Sequence, residues 1–529
     1  MRIKLLRIFE SAILFLILSL PVFGQELPKK TEFNTIDPGL AKEMENFSIE
    51  QMQSLKSPGL GVGIVMGNTL VYEGYYGWAN IEEKKPVAPN TFFRIGSISK
   101  SVTAIGILQQ WETDKFQIGE DVNNYLPEKM IFPPHPDKKP VTFQTLLTHT
   151  SGGGEFLSYR QLLMKNFGVM VDGEDYLPLE DYLKIGMKTK VDPGLKYAYS
   201  NYGYSFLGLA LETMAGEPFD VYMKKNVFAP LGMKETTYQH TADMLPRIIT
   251  GYTLKNGKYQ PRVHRAFGIT PAGNIYTTID EFSLYVEALL NNGANKNGRV
   301  IKADTLKEMM SDKHSFDYFQ EAYGYGLRVY GENIWGQRIV GHSGSVPFGY
   351  TSHMLLAPGK KIGVYVFANS DTRVPTPVAW GILRMMLGAK DQPPPTVAPD
   401  KKVWPELVGY YGPEYRDFKT SARIYIDGIG AYRIAVINDE LCLIYTWQGK
   451  KKAKKLHQLS SDDPYFFWYE DKRESSMPQY LSFQKGDEGQ LYLVPGGYEE
   501  FMKLDKDRVA RVKAMIPLGR VLAKTVKLN

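Results

Sequence analysis

Three consecutive prolines, Pro393 to Pro395, sit inside the stretch Asp391 to Asp400 and divide the chain into two unlike parts. Proline fixes φ and has no backbone N–H, so such a run favours an extended, semi-rigid spacer and continues neither a helix nor an inner strand. Ahead of it, helical and strand periodicities are mixed. Behind it come short alternating runs, Arg423 to Ile426, Tyr432 to Ile437 and Leu441 to Trp447, with turns at Asp427-Gly428 and Asn438-Asp439. The pattern predicts a large mixed region over 25–390, a linker over 391–402 and a small antiparallel β domain, barrel or sandwich, over 403–505. A basic tail, interrupted by Pro517, takes up 506–529. A chain of 529 residues suits this division, since single cores stop growing at about 250–300 residues.

The first 24 residues read as a signal peptide. Arg2, Lys4 and Arg7 supply a positive start, the run from Ser11 to Phe23 is apolar, and Val22-Phe23-Gly24 precedes Gln25 at the cleavage position. The run is shorter than the ~20 residues that span a bilayer, and no later run is apolar for long enough. The expected location is therefore periplasmic or secreted, with no stable transmembrane segment after cleavage. Export permits disulfides, yet Cys442 is the one cysteine, so packing alone must hold the fold. It lies in an alternating apolar run and reads as a buried small hydrophobe. A net charge of +6 gives no case for a nucleic-acid partner. The Lys450 to Lys455 run reads as a solvated hairpin end.

Chemistry is concentrated before the prolines. A helix is predicted from near Ser97, with Ile98, Val102, Ile105 and Leu108 on one stripe, and Lys100 lies on the face of Ser97. A serine hydroxyl needs a proton acceptor beside it, and a lysine serves once burial or nearby positive charge lowers its pKa from ~10.4. The helix start would favour the developing anion. Ser99 has Val102, not a base, three places on. Tyr199-Ser200-Asn201 precedes a second helix, which stops at Gly216 before Pro218. A tyrosine beside a lysine can exchange protons, an asparagine offers both donor and acceptor, and Ser200 or Asn201 can cap the helix. A third helix is predicted from near Asp280 to about Asn291, and strands at 61–66, 69–72 and 361–367. Ile339 to Ser345 reads as an edge strand for an extended ligand, with Gly344 allowing close backbone approach. It imitates the Gly-x-Ser-x-Gly elbow of α/β-hydrolases, but Ser345 stands where the last glycine should be.

The order Ser-x-x-Lys, Tyr-x-Asn, His-x-Gly resembles the serine β-lactamase and penicillin-binding-protein superfamily, in its branch of class C β-lactamases, D-alanyl-D-alanine carboxypeptidases, D-aminopeptidases and related esterases. The likeness runs over roughly residues 40–390. It takes in Thr91 to Gly96, Leu146 to Gly152, Pro230 to Met233 and Pro271 to Tyr276. It implies an α/β fold, an antiparallel sheet flanked by helices with an all-helical lobe. It implies acylation of Ser97, proton movement by Lys100 and Tyr199, and substrate orientation by Asn201. His342, Ser343, Gly344 and Ser345 would hold the ligand, with the backbone N–H groups of Ser97 and Ser345 as the oxyanion hole. His342 stands where class C β-lactamases carry lysine and where carboxypeptidase- and esterase-like members carry histidine. Efficient β-lactamase action is therefore not expected. A histidine with an ordinary pKa would gain charge, and affinity for carboxylate ligands, as pH falls through ~6.5.

His149 reads as a structural hydrogen-bonding residue. With no His-Glu-x-x-His and no paired Cys/His cluster, neither metal nor cofactor is expected. The expected activity is that of a D-Ala-D-Ala carboxypeptidase or D-stereospecific peptidase and esterase acting on small peptides, esters or β-lactams, with cell-wall peptidoglycan as a natural source. A weak β-lactamase or general carboxylesterase is the rival within the fold. A non-catalytic β-lactam or muropeptide receptor is the rival of another class.

Overall fold

A computed structural model describes residues 27–506 and 509, apart from 133–138, 154–169, 190–191, 256, 317–320, 331–333, 348, 391–395, 414–431, 448–449, 471–478, 486–488 and 496–500. The signal-peptide reading, the strand at 423–426, the three prolines and most of the basic tail lie outside the described residues. Among the described residues, no helix is long and apolar enough to cross a membrane.

The first part is built on a ten-stranded antiparallel sheet. Its strands are β1 (Lys29–Phe33), β2 (Gly59–Met66), β3 (Thr69–Asn80), β4 (His314–Phe316), β5 (Glu321–Tyr323), β6 (Arg328–Val329), β7 (Val340–Val346), β8 (Tyr350–Ala357) and β9 (Ile362–Ala368). They run in the order β1-β3-β2-β9-β8-β7-β6-β5-β4, and the tenth, Lys85–Pro86, pairs with β3. N- and C-terminal strands thus meet at β2 and β9, as the strands at both ends of this part lead one to expect. Alternation assigns the faces. Leu60, Val62 and Ile64 of β2 join Val364 and Val366 of β9 in a core covered by helices α1 (Pro38–Ser54) and α5 (Pro375–Met386). On the opposite face, Phe282 of α4 (Ile279–Leu290) packs edge-on against Tyr365 and Phe367, with ring centroids 5.1 and 5.3 Å away.

That second core extends into the helical lobe through α2 (Ser99–Glu112) and α3 (Asn201–Ala215). Of the 14 residues of α2, all but Gln109, Trp111 and Glu112 are buried. The stripe read from sequence is part of a helix buried all round, because lobe and sheet enclose it from both sides. The predicted cap of α3 is present, with Ser200 Oγ accepting from Gly203 N at 3.0 Å, and α4 is capped by Thr278, whose Oγ1 accepts from Glu281 N at 3.2 Å. Each such cap stabilises its helix by about 1 kcal/mol.

The second part carries β10 (Gly409–Pro413), β11 (Tyr432–Ile437), β12 (Glu440–Trp447), β13 (Lys450–Lys455), β14 (His457–Gln458), β15 (Phe466–Tyr469), β16 (Gln479–Lys485), β17 (Leu491–Pro495) and β18 (Phe501–Lys503). They form a nine-stranded antiparallel sheet in the order β13-β12-β11-β10-β18-β17-β16-β15-β14. β13 and β14 stand at opposite ends of that order, yet Leu456 alone separates them in sequence. Chain continuity therefore curls the sheet round until its ends meet, giving a barrel-like form around Ile434, Leu443, Phe467, Leu481 and Leu493. The lysine run extends the expected hairpin end into a whole strand: it is β13, the second arm of a hairpin paired along Glu440–Trp447. Residues after the prolines stay with this sheet, since Val397 N donates to Gln458 O at 3.1 Å and Trp468 Nε1 to Thr396 Oγ1 at 3.2 Å. Cys442 is a buried free thiol, pushed up in pKa by that burial.

Candidate active site

Ser97 does not open the α-helix. It occupies a single 3-10 turn, Gly96–Ile98, and α2 begins two residues later at Ser99. Gly96 explains the break. Its φ of 53° is left-handed, and a Cβ there would meet Ser345 N at 2.9 Å. Only glycine lets the nucleophile turn rest backbone-to-backbone on β7. Lys100, in the first turn of α2 and three residues on, still projects onto Ser97.

Lys100 is fully buried, whereas Ser97 is half-buried and open to a ligand. Lys100 Nζ donates to Asn201 Oδ1 and to Ala272 O, each at 2.6 Å, and lies 3.1 Å from Ser97 Oγ. Amide oxygens only accept, so two hydrogens of the nitrogen are committed and its third direction faces the serine. A neutral amine presents its lone pair there, and an ammonium presents a proton. One contact thus serves to take the serine proton and to return it. The ring of Tyr199, half-buried, has its centre 4.8 Å from Nζ.

His342, on β7, is buried beside this group. Its Nδ1 stands 2.6 Å from Ser343 O, a carbonyl that only accepts, so Nδ1 carries the hydrogen. Nε2 is then the acceptor for the Tyr323 hydroxyl at 2.8 Å. Burial first, and the charge of Lys100 second, hold His342 down at about 3. The sequence-based expectation of a histidine titrating near neutrality is therefore corrected: His342 is a neutral hydrogen-bonding group.

β7 pairs with β6 at Val340 and Gly341 alone, and from His342 to Val346 only β8 is its partner among the described residues. The predicted edge is present over that half of the strand, where Ser343 and Ser345 are exposed. Gly344 has no room for a Cβ, which would meet Ile95 O at 2.1 Å. The close approach needs this glycine.

His149 clamps the segment that carries Tyr199. Ala198 N donates to its carbonyl at 2.7 Å, Ser200 N donates to its Nδ1 at 3.2 Å, and its ring lies 4.1 Å from that of Tyr199. Burial first, and the charge of Lys100 second, keep it neutral. Ser99 Oγ accepts from Ile275 N at 3.1 Å and is wholly buried, so it ties helix to loop. The structure thus gathers Ser97, Lys100, Tyr199, Asn201 and His342 around one point, with Ser343, Gly344 and Ser345 along the bordering edge. Sequence reasoning gave no role to the Ala272 carbonyl or to Tyr323. A backbone oxygen has no residue signature, and Tyr323 reaches His342 from another strand. No group of three or more metal-ligating side chains occurs among the described residues.

A half-buried serine touching a buried lysine, under a tyrosine and beside an edge strand, defines a serine-hydrolase type of site. The Beta-lactamase family model matches residues 44–384, and the chain belongs to that family. It is 24% identical over 405 residues to penicillin-binding protein 4* of Bacillus subtilis, covering 70% of this chain and 83% of that one. To PbpX of Bacillus subtilis it is 26% identical over 272 residues, or 50% of this chain and 61% of that protein, so it spans less than two thirds of PbpX. The octameric penicillin-binding protein homologue of Pyrococcus abyssi shares the fold with a TM-score of 0.57 at 24% identity, over 88% of this chain and 100% of that one. The hydrolase EstCE1 does so with a TM-score of 0.54 at 21% identity, over 65% of this chain and 98% of that one.

Proposed function

We propose that the protein is an exported serine hydrolase that works through an acyl-enzyme on Ser97, with D-alanyl-D-alanine carboxypeptidase-like or other D-stereospecific peptidase and esterase activity. The contact of Lys100 Nζ with Ser97 Oγ at 3.1 Å carries this reading. Ser97 Oγ would bond to the substrate carbonyl carbon as its proton passes to Lys100. The carbonyl oxygen becomes an anion opposite the backbone N–H groups of Ser97 and Ser345. Tyr199, next to Lys100, would pass the proton on to the leaving amine or alkoxide, and water would then release the acyl group. Asn201 would fix Lys100 through its oxygen and meet the substrate amide with its nitrogen.

A broader esterase is the second reading, and the neutral state of His342 favours it. A carboxylate-bearing ligand gains no fixed charge there, so simple esters are at little disadvantage. SurE, which shares the fold at 18% identity and a TM-score of 0.57, is known in complex with D-Leu, which guides the choice of D-residue probes. The test is mass spectrometry after a fluorescent penicillin or fluorophosphonate, with turnover of D-alanyl dipeptides, short nitrophenyl esters and a chromogenic cephalosporin. The adduct is expected on Ser97, with poor cephalosporin turnover. An adduct on any other residue ends the proposal, and a penicilloyl adduct on Ser97 without turnover of any of the peptide, ester or cephalosporin substrates identifies a receptor.

A further inference from the structure

Arg94, three residues before Ser97, is 2% exposed and among the largest fully buried side chains. A buried charge costs several kcal/mol unless it is paired. No carboxylate pairs with Arg94 among the described residues. Its Nη1 donates to Arg265 O at 2.6 Å and its Nη2 to Asn274 Oδ1 at 3.2 Å. Its flanks rest on the rings of Tyr276 and Tyr350, with centres 5.4 and 5.0 Å away. Its Nε has no acceptor. The neighbouring Asp172 is taken by the Arg265 side chain, at 2.7 Å.

Two histidines share this pocket of tyrosines. The ring of His240, also 2% exposed, stands 5.2 Å from Tyr276 and 4.7 Å from the ring of His264. Tyr176 OH accepts from Asn274 Nδ2 at 3.2 Å and lies 2.7 Å from His240 Nδ1, to which it gives its own hydrogen. His240 Nε2 therefore carries an N–H, and it has no acceptor. His264 Nδ1 also lacks a partner, and its Nε2 lies 3.3 Å from the Tyr276 hydroxyl. Burial and the Arg94 charge hold the two rings at about 4 and about 3, so neither adds a charge of its own. The set is one buried permanent cation with its Nε–H, and the Nε2–H of His240, left without a protein acceptor, and such groups call for a ligand or an ion.

We propose that Arg94, His240 and His264 form a binding site for a small inorganic monoanion of halide size. The burial of Arg94 and His240, and of the flanking Tyr276 and Tyr350, leaves no path for the arm of a substrate, which favours a free ion. The anion neutralises Arg94 and so steadies Asn274. That residue also receives Phe267 N at 3.0 Å and donates to Tyr238 O at 2.7 Å, two residues beyond the Ala272 carbonyl that holds Lys100. The inference is independent of which bond the enzyme cleaves.

The full-length protein is melted in sodium chloride and in sodium gluconate at matched ionic strength, and crystals are grown with bromide for anomalous scattering. A saturable rise of a few degrees specific to the halide is expected, absent in Arg94→Met. A bromide peak should lie within hydrogen-bond reach of Arg94 Nε and His240 Nε2. Equal melting in the two salts, water at that place, or a peak without halide-specific stabilisation (an adventitious ion only) would overturn the proposal. The wild-type melts and map decide the matter even if Arg94→Met does not fold.

Discussion

The two sheets bury very different things. In the first, lysine, arginine, several histidines and a series of threonines and serines are enclosed among the apolar side chains, whereas Gln458 and Ser482 are the only described buried polar side chains of the second. Both are antiparallel, and both have cores of Leu, Ile, Val and aromatic residues. Burying polar groups costs stability unless each finds a partner, so the first part carries a cost that the second is largely spared. Activity should therefore be sensitive to substitutions in the first sheet and tolerant of them in the second.

The largest effect is expected for Ser97→Ala: loss of both turnover and covalent labelling, read by intact-mass spectrometry. No substitution of a polar residue in the second sheet should approach it, and one that did would break the comparison. Next come Lys100→Ala and Tyr199→Phe, each lowering the acylation rate by several orders of magnitude. The double variant should be little worse than either single, because groups that move one proton together are strongly non-additive. Multiplicative losses would show that they act independently.

Acid should separate the two parts. His342 and His353, held at about 3, and His240, held at about 4, are buried in the first part. The unfolded chain binds protons at ~6.5 where these folded rings do not, so stability is full above that pH and falls as pH drops from there towards 3. Each such ring withdraws as much as about 1.4 kcal/mol per pH unit across that window. Calorimetry between pH 7 and 4.5 should show the transition of the first part moving down further than that of the second. Over pH 5.5–8.5, by the same argument, His342 does not titrate. A histidine resonance of His342 with a midpoint near 6.5 would contradict this. The smallest effects are two. Ser99→Ala loses one buried hydrogen bond, about 1 kcal/mol of stability, and keeps labelling intact. A fragment of residues 25–390 should retain turnover of small esters. Lys196 Nζ lies 5.5 Å from the ring of Tyr492, so a contact reaches from the second sheet to the loop ahead of Tyr199. A folded fragment without esterase activity would mean that this contact matters for catalysis.

Much of this was legible in sequence because it is local. Ser97 and Lys100 are three residues apart, Tyr199 and Asn201 two, and the cap Ser200 adjoins the helix it starts. What escaped depends on distant partners. Nothing around Tyr323 marks it as the support of His342, and the low pKa of His342 follows from an enclosure that only the assembled sheet provides. The lysines of β13 read as a solvated hairpin end because charge resembles solvent exposure, while their strand register was set by the apolar partner strand Glu440–Trp447.

Leu456, the single residue between β13 and β14, works as a clasp. If the chain were cut there, as in a circular permutation, the barrel could relax into an open sheet with two raw edges. Unpaired edges are templates for chain-to-chain joining, and lysines along an edge discourage it by mutual repulsion. The crowded positive charge of β13 would then keep a sprung barrel from polymerising. It would guard the same edge in the newly made chain during the interval before the clasp closes.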